Sequence, residues 1–273
     1  MKQRILLFIT IYFYFVLVFL IGKVIFTLIH ASMGGGVAAT DVFSVLYHGL
    51  PLDLSMSGYL TVIPGLLLIA SIWFKPQLIS RIFNTYYGII LAVIGIITVA
   101  DLVVYPYWGF HFDSSVFLYI QKPKEALASG SPLDFVTGFL GTIAYVFIIF
   151  LGYFYLIRTK VLNLHIPKSI IKASWVLLLL IGFLFLTIRG GITVSTMNVG
   201  KVYFSDNMFL NHAAINPVFN LMYSLTKTDN FASQYQFFDK EETLTIFEDL
   251  NKELKSDSTL HLLNTNRPNI LLF

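Results

Sequence analysis

Five long apolar stretches fill the chain from Ile5 to Ile188, and they decide what it can fold into. They run from about Ile5 to Ile29, Leu50 to Phe74, Ile82 to Tyr105, Leu133 to Ile157 and Ile170 to Ile188. Each is close to the ~20 residues that carry a helix across the hydrocarbon core of a bilayer. In lipid, backbone polar groups must be satisfied within the segment, so five membrane-spanning helices are the expectation. Charged residues make up only 12% of the chain, against roughly a quarter in soluble domains. The apolar run after Lys2 and Arg4 is longer than the ~7–15 residues of a signal peptide, which favours an uncleaved anchor.

Basic residues give the expected orientation. Lys2, Arg4, Lys75, Arg81, Arg158, Lys160, Lys168 and Lys172 fall on one side, against Lys122 and Lys124 on the other. The positive-inside rule then puts the N-terminus in the cytoplasm and everything after Ile188 outside. Residues 31–49, with Gly34-Gly35-Gly36 and the aromatic-rich Val42–His48, read as an interfacial segment, as does the amphipathic Val116–Leu127. No fixed-period repeat and no duplicated half is visible.

The stretch after Arg189 reads in parts. Residues 190–207 are rich in Gly, Ser and Thr and are expected to be extended. Residues 208–227 read as one short helix around Asn211, Asn216 and Asn220. Residues 239–255 read as a second helix, with Asp239 as N-cap and Leu244, Phe247 and Leu254 on one face. Arg267-Pro268-Asn269-Ile270-Leu271-Leu272-Phe273 reads as the opening strand of a parallel sheet, a strand that needs neighbours. The expected organisation is a five-helix transmembrane domain over 1–189, an extracellular linker with short helices over 190–266, and the start of a further domain over 267–273.

These segments together resemble the lipoteichoic acid synthase and phosphoglycerol transferase family of the sulfatase and alkaline phosphatase superfamily. The resemblance rests on the five spans, Arg189-Gly190-Gly191 with Asn198, Asn207-Met208-Phe209-Leu210-Asn211, Asn216-Pro217-Val218-Phe219-Asn220 and Arg267-Pro268-Asn269-Ile270-Leu271. It covers the membrane and linker half alone and implies an all-α membrane part leading into an α/β sulfatase-like domain. It further implies transfer of a phosphoglycerol or phosphoethanolamine unit, or hydrolysis of a phosphate or sulfate ester, at the outer face of a bacterial cytoplasmic membrane. A divalent metal such as manganese would assist in the catalytic domain, by polarising the ester and activating a hydroxyl nucleophile. The family's metal-binding carboxylate and threonine nucleophile match no position here, so no catalytic or metal residue is carried over. An anionic or zwitterionic phospholipid is the implied partner.

Four ionisable residues lie in the spans or at their edges, Lys23, Asp53, Asp101 and Arg189, all toward the outer leaflet in the expected orientation. Charge in hydrocarbon is expensive, which makes these the candidate site. They can neutralise one another, with Asp101 and Arg189 as one pairing, or cradle a lipid headgroup; the plainer alternative is snorkelling. Asn211, Asn216 and Asn220 are expected to cap helices and dock the linker. His48, His111, His212 and His261, with Asp41, Asp53 and Asp113, show no tight metal spacing and are expected to be solvated. The chain has no cysteine, so disulfides and thiolate zinc sites are excluded. No basic, aromatic-interleaved patch points to nucleic acid. The rival readings are a non-catalytic membrane scaffold or remnant and a small transporter. Transport favours polar groups along a continuous midplane path, whereas these charges gather toward one face.

Overall fold

The computed structural model describes residues 1–121, 131–165, 167–227 and 238–250. In chain order its helices are α1 (Lys2–Ile29), α2 (Ala39–Ala70), α3 (Pro76–Trp108) and α4 (Val116–Gln121). They continue with α5 (Pro132–Leu162), α6 (Ile170–Arg189), α7 (Met208–Ala213), α8 (Pro217–Thr226) and α9 (Lys240–Leu250). Among the described residues there is no strand. Helices α1, α2, α3, α5 and α6 are long and apolar enough to cross a membrane, and the architecture is that of an all-α, multi-pass membrane protein.

Helix ends follow local chemistry. Pro76 and Pro132 open α3 and α5, where a missing N–H costs nothing. Ser131 and Asp134 form a reciprocal capping box at the start of α5. Gly109 and Gly190 close α3 and α6 in the left-handed conformation, at φ 71° and 83°. A π-turn over Phe154–Arg158 interrupts α5 near its end.

Second-span packing is central: α2 lies against both α1 and α6, while α3 lies against α5. Tyrosine hydroxyls tie the spans to one another's carbonyls. Tyr14 donates to the Ile149 oxygen at 2.6 Å and Tyr145 to that of Val18 at 2.9 Å, joining α1 to α5. Tyr86 donates to the Leu60 oxygen at 2.6 Å, joining α3 to α2. Phe15, Tyr87 and Tyr153 stack between α1, α3 and α5, with Tyr87 and Tyr153 centroids 4.2 Å apart. Phe139, Phe147 and Phe183 of α5 and α6 point outward and exposed, which suits lipid rather than water.

The bundle has a basic end, where α1 begins, and a linker end, where α6 stops. At the basic end Arg4 is buried. It donates to the Ser71 hydroxyl and carbonyl, both at 3.1 Å, and to the His165 carbonyl at 2.5 Å, binding a cation to the C-terminus of α2. At the linker end Ser55 donates to the Ile188 carbonyl at 2.7 Å, so α6 finishes alongside Ser55. The part of α2 preceding Ser55, roughly four turns, runs on beyond it.

Several expectations need correction. Val42–His48 is not a separate segment but the first part of α2, which continues through Pro51. Residues 208–227 form two helices rather than one, because Pro217 disfavours a helical Asn216 and that residue caps α8 instead. Residues 190–207 are not simply extended: they contain a 3₁₀ turn at Val199–Val202. Contacts join the linker through Lys227 to the spans in one compact unit. Helix α9 belongs to a separate unit and exposes Leu244 and Phe247. Lys122, Lys124, His261, the strand at Arg267–Phe273 and the ends of the segments at Val116–Leu127 and 239–255 lie outside the described residues.

Candidate functional site: two buried ion pairs under the linker

Lys23 lies late in α1 and Asp53 opposite it in α2, and their side chains meet at 2.7 Å with almost no exposure. The ammonium also donates to the Gly49 carbonyl at 2.7 Å. Gly49 has to be glycine here, since a Cβ would press on the Lys23 ammonium and lie 2.5 Å from the Ala214 carbonyl. The second oxygen of Asp53 accepts from the Asn216 amide at 2.9 Å. Asn216 thus performs two tasks: its oxygen caps the Phe219 N–H at 3.0 Å, and its nitrogen locks α8 onto a charge inside the spans. Asp53 and Asn216 are both fully buried.

The second pair is Asp101 of α3 with His111, 2.8 Å apart and buried. Asp101 accepts from the Phe112 N–H as well, at 2.7 Å. His111 faces two acceptors, the Asp101 carboxylate at Nδ1 and the His212 carbonyl, 2.7 Å from Nε2. A carbonyl can only accept, so Nε2 carries a proton, and a carboxylate at Nδ1 favours a second one. Burial pulls the His111 pKa down, but the Asp101 charge, its hydrogen bond and the His212 carbonyl outweigh this and leave it raised. The geometry therefore describes an imidazolium paired with a carboxylate, which clips the turn after α3 to helix α7.

Aromatic rings close the site. Phe26 lies 4.9 Å from the His111 ring and 5.0 Å from that of His30, centroid to centroid. The Tyr105 hydroxyl meets His212 Nδ1 at 2.9 Å, and His30 Nε2 lies 3.0 Å from the Leu102 carbonyl. Burial lowers the pKa of His30 and of His212, the latter helped by the neighbouring His111 charge. Between the two ion pairs a void of about 10 Å³, lined by Lys23, Thr98, His111 and Tyr145, is about the size of one water.

Of the four charges singled out in the sequence, three are thus consumed in buried pairs. Asp101 is not partnered by Arg189 but by His111, because the turn after Trp108 folds back over α3. Arg189 stands apart at the end of α6, where it donates to the Thr193 carbonyl at 3.4 Å. The expectation of solvated histidines fails for His111, while His48 is exposed, its ring stacked on Phe204 with centroids 4.4 Å apart. Asp41 takes the Ala38 N–H at the start of α2, and Asp113 holds Ser115.

The three linker asparagines have different partners: Asn216 reaches Asp53, while Asn211 bonds within the linker and Asn220 reaches the turn after α3. Asn211 accepts from the Phe204 and Ser205 N–H groups, both at 2.8 Å, and Asn220 donates to the Phe112 carbonyl at 2.9 Å. The sequence reading missed His30, His111 and Arg4 as buried groups; none of them stands inside an apolar run. Among the described residues no group of three or more His, Asp or Glu is placed to hold a metal ion. Comparisons with protein-family models, with curated proteins and with solved structures find no match.

Proposed function

We propose that residues 1–227 are the membrane platform of an envelope-facing enzyme, of the lipoteichoic acid synthase-like phosphoglycerol transferase or sulfatase-like hydrolase kind. The platform fixes the linker at the outer end of the spans and keeps a phospholipid substrate near the interface. The observation that supports this reading is the clamp: Asn216 on Asp53, the His212 carbonyl on His111, and Asn220 on the Phe112 carbonyl. A linker held at three points, one buried and two partly buried, behaves as a rigid mount for whatever polypeptide it carries. A transport path asks for polar groups strung through the bilayer, whereas the charges of the clamp are paired off under the linker. Chemistry in this reading belongs to a metal-dependent domain carried by the linker, with the spans supplying position.

The reading needs the linker end outside the cell. A reporter active only in the cytoplasm, fused after Ile79 or after Leu164, is expected to work, and the same fusion after Ser233 is expected to be silent. Signal from the Ser233 fusion would place the linker inside and end the proposal of an envelope-facing platform.

A further inference from the structure

The one cation of the sequence-derived set left outside the clamp stands in a cleft of its own. Arg189 ends α6 and lines a cleft of about 320 Å³ with Tyr59 and Phe185 of the spans and Thr196, Tyr223 and Thr226 of the linker region. Its Nε is shut off from solvent and has no partner among the described residues. Among the described residues its five N–H donors make one long bond, Nη2 to the Thr193 carbonyl at 3.4 Å. A buried, unsatisfied guanidinium donor is costly unless something accepts from it.

The surroundings favour an anion. Among the described residues no carboxylate lines the cleft. Lys201 reaches within 3.3 Å of where a Cβ on Gly190 would stand, and its ammonium donates to the Ser195 carbonyl at 3.3 Å. Lys227 lies 5.7 Å from the centre of the Tyr223 ring on the cleft wall. Arg189 thus lines the opening, and the ammoniums of Lys201, beside Gly190, and Lys227, over the Tyr223 ring, add positive charge near it.

Position favours a lipid over a soluble anion. The cleft opens where α6 stops, beside the outward Phe185, at 60% exposure, and Tyr59, at 43%. Next to Arg189 the chain holds Ile192 and Val194 out at 89% and 95% exposure, an arrangement that water penalises and the headgroup–acyl boundary does not. A planar guanidinium grips a phosphate through two parallel bonds, while the apolar wall takes the first carbons of the chains.

We propose that this cleft binds the phosphodiester headgroup of an anionic membrane phospholipid, with Arg189 as the bidentate anchor and Lys201 and Lys227 as the electrostatic rim. It rests on the platform reading and gives that platform a lipid seat separate from the clamp.

The test is lipid binding by the detergent-purified chain, titrated with short-chain phosphatidylglycerol, short-chain phosphatidylcholine and inorganic phosphate. Phosphatidylglycerol is expected to bind tightest, and Arg189→Gln to weaken it by about tenfold or more, with Lys201→Gln and Lys227→Gln weakening it less. Arg189→Lys keeps the charge without the fork and is expected to fall between, which covers a glutamine variant that folds poorly. Equal binding of phosphatidylcholine, binding of inorganic phosphate as tight as the lipid, or unchanged binding by both Arg189 variants would each overturn the proposal. Such a failure with the thermal melt of the chain unaltered strikes the lipid seat alone; the clamp and the platform are judged by their own variants.

Discussion

Lys23→Met is expected to destabilise the protein by about 3–5 kcal/mol, because it strands a buried carboxylate. Asp53 would keep the Asn216 amide but lose the ammonium 2.7 Å away, in a place with no exposure to recover hydration. Asp53→Asn is expected to cost about as much in the opposite sense, leaving the buried Lys23 ammonium with neutral acceptors and no counter-charge. Making both changes removes both ions and leaves an amide at position 53 that can still bond Asn216. The double variant should therefore melt closer to the parent than either single variant does. Single variants that melt with the parent would show a hydrated pair that holds nothing together.

Asp101 offers the second large effect and a choice between partners. Asp101→Asn and His111→Gln are each expected to lower the melting temperature, with a non-additive coupling of roughly 0.5–3 kcal/mol in the double variant. Asp101→Asn combined with Arg189→Gln is expected to be additive, since Arg189 bonds to Thr193 rather than to Asp101. Coupling to Arg189 in place of His111 would contradict the geometry of the turn after α3. The pair also carries a pH signature. The His111 pKa is raised on folding, so its contribution is present in full below its ordinary value of 6.5 and is lost as pH rises through the raised value. The advantage of the parent over His111→Gln should shrink toward alkaline pH. His30 and His212, whose pKa values are lowered, work the other way: their contribution is present above 6.5 and is lost as pH falls through the lowered values. Because His111→Gln also removes a charge that helps lower them, the comparison is read well above pH 6.5, where both are neutral in either protein.

Much of this architecture was written in local chemistry. The five spans follow from run length alone, and Lys23, Asp53 and Asp101 stand out because a charge in an apolar run is costly. Asn216 before Pro217 announces a helix start, and that is where α8 begins. What could not be read was which distant groups would meet those charges. Asp101 finds its partner only because Gly109 turns the chain back at φ 71° and delivers His111 over the end of α3. Asp53 finds Asn216 across 163 positions of chain, a contact that no spacing encodes. The start of α2 was misplaced for a related reason. Val42–His48 is aromatic enough to pass for an interfacial segment, whereas it continues into the second span as one helix that also packs against the linker.

The platform requires that α7 and α8 be mounted on the spans by polar contacts, the Asn216–Asp53 bond fully buried among them. Hydrogen exchange of the parent in lipid nanodiscs tests it most directly, because a docked helix exchanges through rare opening and a loose one through fraying. The amides of Phe204, Ser205 and Phe219, held by Asn211 and Asn216, and those through the interior of α8 are predicted to be slow. Asn216→Ala should speed them selectively, leaving the interior of α5 unchanged. Amides of α8 that exchange in the parent as fast as those of an unstructured peptide would contradict the clamp, and with it the platform built upon it.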